Sequence, residues 1–305
     1  MGRPRALGGR RGGGLREQGA ALAGRPLAPR AGAPSPSRSP RSHGGVRTVK
    51  AIILAAGLGT RMGPLAANRP KCLVELAGAP LLDHQLAVYK HFGVDVTVMA
   101  GAYPELTQAG RDVRVVVNPA YTTGNMVSTL RFSLPVVSRT EPVLVSYGDI
   151  VFSREVLARM LAASRDVDVA IDTQWRRLWE LRMEDPTTDC ESLRLEGERI
   201  VDIGARVRSV EEVQGQYIGL LRFGPGVLHA LMERFEQCVA KDPRYWNISM
   251  TAFLQDLITE GVAVHAVPIA SGWLEADNAE DLRRYTEAHA SGALAGFWSP
   301  TAPPR

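Results

Sequence analysis

The sequence has little cysteine. Cys72, Cys190 and Cys238 are odd in number, far apart and in no CxxC or histidine-bearing pattern. This argues against both a disulfide framework and a zinc site, and Cys72 is expected to be a small core residue. Long apolar runs are also missing. No secretory apolar segment follows the basic N-terminal residues, and no stretch approaches the ~20 apolar residues that a spanning helix needs. A cytoplasmic protein without a membrane partner is expected, and no internal repeat is visible. The 305 residues, 45% hydrophobic and 22% charged, suffice for one large α/β domain or two small ones with a core.

Charge is unevenly spread. Residues 1 to 50 carry eleven Lys/Arg against one acid, Glu17, whereas the remainder holds 25 bases and 31 acids. The first 47 residues are rich in Gly, Pro, Arg and Ser and lack apolar periodicity, so they are expected to form a disordered basic tail. That tail has no aromatic residue to stack on bases, which disfavours a nucleic-acid partner. Ala/Gly/Arg/Pro-heavy text is what GC-rich DNA encodes in almost any frame, and the next methionine is Met62. The tail is therefore expected to be a translated leader, with the native start near Val46 or Val49.

From residue 48 onward, strand-like and helix-like segments alternate. "VKAIILAA" (49–56), "VDVTVMAG" (94–101), "VRVVVN" (113–118), "PVLVSYGD" (142–149) and "DVAIDTQ" (168–174) read as strands, and residues 80–94 and 153–164 as helices. This pattern predicts a Rossmann-like, doubly wound α/β sheet. Between about 174 and 224 short alternating pieces with Gly and charged turns predict antiparallel strands, a small insertion in a domain spanning 48–290. Two amphipathic helices, the strand "VAVHAVPI" and the helix "AEDLRRYTEAH" follow. Residues 291–305 are expected to fray.

The stretch "LAAGLGTRM" carries the chemistry. A buried strand empties into Gly57 and Gly59, where bare backbone N–H groups can approach phosphate oxygens. It lacks the Lys-Ser/Thr of a GxxxxGK[ST] loop, and no helical run follows Gly63 as GxGxxG would require. Alone, "AAGLGT" fits a tight turn equally well.

The full pattern, LAAGLGTRM followed by RPKCLVELAG, resembles the signature of the nucleotidyltransferases of the sugar-nucleotide pyrophosphorylase (GT-A-like) superfamily. The resemblance covers residues 49 to about 290. It implies that Leu54, Ala55, Ala56, Gly57, Gly59 and Thr60 wrap a nucleoside triphosphate, that Arg61 holds its β and γ phosphates, and that Lys71 sits over the α-phosphorus. In such a reaction an anionic oxygen attacks an anionic phosphate, so positioning and charge neutralisation dominate. Mg²⁺ on oxygen ligands is the implied cofactor. By resemblance to small choline-phosphate and phosphonate cytidylyltransferases its carboxylates are Asp149 in "YGD" and Asp277 in "WLEAD", with Glu275 as substitute. Asp277 could equally cap the last helix.

The same resemblance suggests Asn125 and Ser128 in "NPAYTTGNMVSTL" for base or ribose, although Gly124 stands where several relatives have Asn, and "TTGN" also reads as a helix start. The segment "WRRLWELRMEDPTTDCE" looks like the W…W..R..DP..D.E signature of phosphonate-activating enzymes. Trp175 and Trp179, four apart, share a helix face and fit either an aromatic cage or the core. Arg182 can pair with a phosphonate, and Asp185, Asp189 and Glu191 can receive an amine. Arg206, with Ala205, replaces a lysine pair of the relatives and is carried over as an acceptor contact. The expected reaction is CMP transfer from CTP to a small phosphonate with release of pyrophosphate, as in phosphonolipid or antibiotic-type pathways. Phosphocholine and sugar 1-phosphates are the competing acceptors, and a non-catalytic nucleotide sensor the competing class. The fold is compatible with a homodimer.

Overall fold

The computed structural model describes residues 49–301 apart from Leu58. The expected basic tail and Val46, one of the two proposed starts, therefore lie outside the described residues, while Val49 is the first residue within them.

The elements, in chain order, begin with β1 (Lys50–Ala55), the short ribbon β2 (Glu75–Leu76) and β3 (Ala79–Pro80), α1 (Leu81–His91), β4 (Asp95–Ala100), α2 (Pro104–Gln108) and β5 (Arg114–Val117). Next come α3 (Met126–Arg131), β6 (Val143–Tyr147), β7 (Ile150–Phe152), α4 (Arg154–Ala162), β8 (Val167–Asp172) and α5 (Trp175–Arg182). Strands β9 (Glu191–Glu196), β10 (Arg199–Arg206) and β11 (Gln216–Phe223) precede α6 (Val227–Lys241), α7 (Met250–Thr259), β12 (Val264–Ile269), β13 (Trp273–Glu275) and α8 (Ala279–Ala290).

Nine strands form one mixed sheet in the order β5-β4-β1-β6-β11-β8-β12-β10-β9. The wing β5-β4-β1-β6 is parallel, as the uninterrupted apolar run of β1 requires, because a strand covered on both faces by helices has no polar side. The antiparallel strands expected between 174 and 224 join this sheet. Hairpin β9–β10 forms one edge, and β11 lies inside, antiparallel to both β6 and β8. Apolar side chains fill both faces, with Ala51, Ile53 and Val98 on one and Ile52, Met99 and Val145 on the other.

Helix boundaries follow local capping. Ser153 accepts the Val156 N–H before α4, Ser249 the Ala252 N–H before α7, and Asn278 the Asp281 N–H before α8, each satisfying a donor that a helix start leaves open. The segment after Ser291 departs from expectation. It does not fray through Trp298: Gly292 turns the chain back, Leu294 and Trp298 are buried, and the Trp298 ring meets His84 edge-on at 4.9 Å. Two large apolar residues close to the end give this segment the burial that the rest of its composition lacks. Among the described residues no helix is long and apolar enough to cross a membrane.

Candidate functional site

Strand β1 is paired on one side with β4 and on the other with β6, so connections leave its C-terminal end in opposite directions and open a crevice there. Leu54 through Gly57 line that crevice together with Lys71, Asn125 and Asp149 around a cavity of about 130 Å³. Gly59 takes a left-handed conformation (φ 65°), which turns the chain into the short helical segment that carries Thr60 and Arg61. The Cβ position of Gly59 would lie 3.0 Å from the Lys71 Cβ, so the glycine loop and the lysine are packed directly against one another.

Asp149 follows β6, where Gly148 donates its N–H to the Leu54 carbonyl at 2.9 Å. Asp277 arrives from the far end of the chain. The two-stranded ribbon β7–β13 pairs Glu275 with Ile150, and the Ala276 N–H donates to the Asp149 carbonyl at 3.0 Å. Asn278, and not Asp277, caps α8, which leaves the Asp277 carboxylate free to face Asp149.

Lys71 bridges the two carboxylates. Its Nζ lies 2.7 Å from Asp149 Oδ2 and 2.8 Å from Asp277 Oδ1, and Arg61 Nη1 reaches Asp277 Oδ2 at 2.5 Å. Burial alone would pull the lysine down, but the charges of Asp149 and Asp277 outweigh it and hold the ammonium form. Glu275 joins the group: oxygens of Asp149, Glu275 and Asp277 lie within 4.8 Å of one another. Burial first, then repulsion from the two aspartates against the pull of Arg182, pushes the Glu275 carboxyl up to about 7. Asp149 Oδ1 is buried without a hydrogen-bond partner among the described residues. Three convergent carboxylates, one with an orphaned oxygen, are a donor set that suits a hard divalent cation such as Mg²⁺.

A second cleft, of about 300 Å³, adjoins the first across Asn125 and Met126. Its walls include Arg61, Trp179, Asp189, Glu191, Tyr217 and Glu275. Burial raises the Glu191 carboxyl above its ordinary range. Trp179 Nε1 and the Tyr217 hydroxyl are buried there without partners among the described residues, and such atoms are costly unless something meets them.

Several sequence expectations change here. Trp175 is buried and packs edge-on against Trp179 at 5.7 Å, and only Trp179 lines the cleft. The proposed pair is thus mostly core, because both rings sit on the inward face of α5. Arg182 is not available to an acceptor phosphonate. Its side chain is 1% exposed and its guanidinium is held by Asp281 and Glu275. Arg206 is exposed at the end of β10 and does not line the cleft, beyond an irregularity in the β9–β10 register. Ser128 is fully buried and accepts the Asn125 N–H at 2.8 Å, while Asn125 Oδ1 accepts the Met126 N–H. Together they cap α3, and only Asn125 lines the cavity. A Cβ on Gly124 would fall 2.1 Å from Ser128 Oγ, so this start of α3 has room for glycine alone. Tyr217 had no signal in the sequence beyond its place in a strand. The convergence of Glu275 on Asp149 depends on a ribbon joining two distant segments.

Comparison with known proteins places the site in context. A family model described as the MobA-like NTP transferase domain matches residues 51–241. The CTP:phosphoglutamine cytidylyltransferase of Campylobacter jejuni is 30% identical over 249 residues, 77% of this chain and 98% of that protein. The CMP-5'-(3-aminopropyl)phosphonate synthase of Streptomyces rubellomurinus is 35% identical over 138 residues, covering 43% of this chain and 22% of that longer one. Among solved structures, the inositol-1-phosphate CTP transferase from T. maritima superposes with a TM-score of 0.62 at 20% identity, over 83% of this chain and 99% of that one.

Proposed function

The chain belongs to the MobA-like NTP transferase family and is a nucleotidyltransferase; on that premise we propose that it transfers CMP from CTP to a small phosphonate and releases pyrophosphate. One observation carries the proposal: Lys71, packed on the glycine loop, lies between Asp149 and Asp277 where the crevice at the end of β1 meets a second cleft. The first cavity accommodates the nucleotide, with the loop N–H groups toward its phosphates. Lys71 supplies fixed positive charge beside the α-phosphorus, and Arg61, at the exposed rim, steadies the leaving pyrophosphate. Mg²⁺ held by Asp149, Asp277 and Glu275 would add charge neutralisation over the phosphate oxygens. No strong general base is required, because a phosphonate oxygen is already ionised near neutral pH.

The acceptor takes the second cleft. Asp189 and Glu191 on its wall favour an acceptor whose far end is a cation. The aminopropylphosphonate relative supports an aminoalkylphosphonate. The nearly full-length match to the phosphoglutamine enzyme favours a second reading, an amino-acid phosphoramidate in the same place.

Pyrophosphate release decides between them. CTP, UTP, ATP and GTP are each tested with Mg²⁺ against 2-aminoethylphosphonate, phosphonoformate, 2-hydroxyethylphosphonate, phosphoglutamine, phosphocholine and glucose 1-phosphate. Release with CTP and a phosphonate is expected. Release with phosphoglutamine, phosphocholine or a sugar phosphate retains the mechanism and replaces the acceptor, and silence throughout overturns the catalytic reading.

A further inference from the structure

Arg182 stands out because the site as described gives it no substrate to bind. It is almost wholly buried, yet it carries a full charge at the junction of three segments. Its Nε and Nη2 meet the two oxygens of Asp281 at 3.2 Å each, and its Nη1 meets Glu275 Oε2 at 3.2 Å. The same Nη1 lies 3.6 Å from Asp189 Oδ2 on the wall of the second cleft. The guanidinium also faces the Trp179 ring at 5.1 Å.

Asp281 has a second task. Its Oδ2 accepts the backbone N–H of Asp277 at 2.8 Å and that of Asn278 at 3.3 Å. One oxygen therefore ties the guanidinium of α5 to the backbone of the turn that presents Asp277. Glu275 is fixed at both ends: its side chain meets Arg182, and its carbonyl accepts the Tyr285 hydroxyl at 2.8 Å. Without Arg182, Glu275 would keep its backbone position while its carboxylate lost the guanidinium that draws it aside from Asp149 and Asp277.

We propose that Arg182 is a positioning residue of the carboxylate cluster and no acceptor ligand: through Asp281 and Glu275 it sets the geometry in which Asp149, Glu275 and Asp277 receive a divalent cation. A planar guanidinium suits the task, because its fork engages Asp281 bidentately while the remaining nitrogen serves Glu275. Partners that orient metal ligands without touching the metal commonly govern its affinity. The inference rests on the metal reading given above.

The test separates the two. Mn²⁺ binding is measured by electron paramagnetic resonance on the full chain without acceptor, for the wild type and for Arg182→Gln, Arg182→Lys and Asp281→Asn. Steady-state kcat and acceptor KM, and near-UV circular dichroism for the fold, accompany it. Arg182→Gln and Asp281→Asn are expected to weaken Mn²⁺ by about 10–100-fold and to lower kcat in step, with acceptor KM nearly unchanged. Arg182→Lys should recover part of the loss, since an ammonium can reach Glu275 but cannot grip Asp281 twice. If Arg182→Gln does not fold, Arg182→Lys and Asp281→Asn decide on the same criterion.

Wild-type Mn²⁺ affinity in the variants, with a raised acceptor KM in Arg182→Gln, would return Arg182 to the acceptor and overturn the inference alone. Absence of Mn²⁺ binding by the wild type would overturn the metal reading and this inference with it.

Discussion

Lys71 and Asp277, 206 residues apart in the chain, meet at 2.8 Å, and the same ammonium is 2.7 Å from Asp149. Replacing the lysine by methionine removes the charge and keeps the length. The expected result is a fall in kcat of about 10²–10³-fold, the scale seen when one preorganised charge or donor is removed. Asp149 would then lie partly buried without its cation while Asp277 keeps Arg61, at a cost of up to about 3–5 kcal/mol. Urea unfolding of Lys71→Met should show that loss in EDTA and its partial recovery in Mg²⁺.

Glu275 gives a pH dependence with a definite sign. Its carboxyl is pushed up to about 7 in the fold, above the ordinary 4.5. Between those values the folded protein holds a proton that the unfolded chain has released, so stability contributed by this group falls as pH rises through the window. In EDTA, the drop in urea midpoint from about pH 5 to about pH 8 should be larger for the wild type than for Glu275→Gln. Parallel curves would remove Glu275 as the source.

Gly124→Ala tests the start of α3. The added methyl would approach Ser128 Oγ to 2.1 Å and Trp246 Nε1 to 3.1 Å, so the capping pair must open. A loss of about 1–2 kcal/mol, the worth of a good helix cap, is expected in thermal or urea unfolding, together with weaker CTP binding because Asn125 lines the cavity.

Arg61 differs from Lys71 in exposure, with its side chain 73% accessible against 13%. Arg61→Ala should move the unfolding midpoint little, because Lys71 still neutralises Asp277 and the arginine itself is exposed. It should raise the KM for CTP, and for pyrophosphate in the reverse reaction, by about 10–100-fold, the scale of a lost charged hydrogen bond. Altered stability with unaltered KM would make it a structural residue.

What the sequence disclosed follows from the range of the forces involved. The glycine loop was legible from the buried strand that empties into it, whereas Lys71, Asp149 and Asp277 were reached through the resemblance of RPKCLVELAG, YGD and WLEAD to a known family, and the fold brings these residues together. Glu275 was legible only as a substitute, since its meeting with Asp149 requires the β7–β13 register. Arg182 read as an acceptor ligand because its segment resembles the W…W..R..DP signature and a guanidinium pairs well with a phosphonate. Asp281 on another helix and Glu275 on β13 make its burial tolerable. Trp298 was lost to the polar, Pro-rich composition around it, which says nothing of the pocket beside His84.

The place of β11 has a consequence for how the chain is put together. When residues through Asp172 have left the ribosome, β6 has one flank without a neighbour and β8 has two, and the strands that fill them are still to be synthesised. The seam closes only on arrival of Gln216–Phe223. A chain cut after β10 would lack both β11 and β12, and its sheet would be interrupted twice, between β6 and β8 and between β8 and β10. The two fragments so made should be inert apart and should recover activity on mixing, because the second brings both missing strands and, with Glu275 and Asp277, part of the carboxylate cluster.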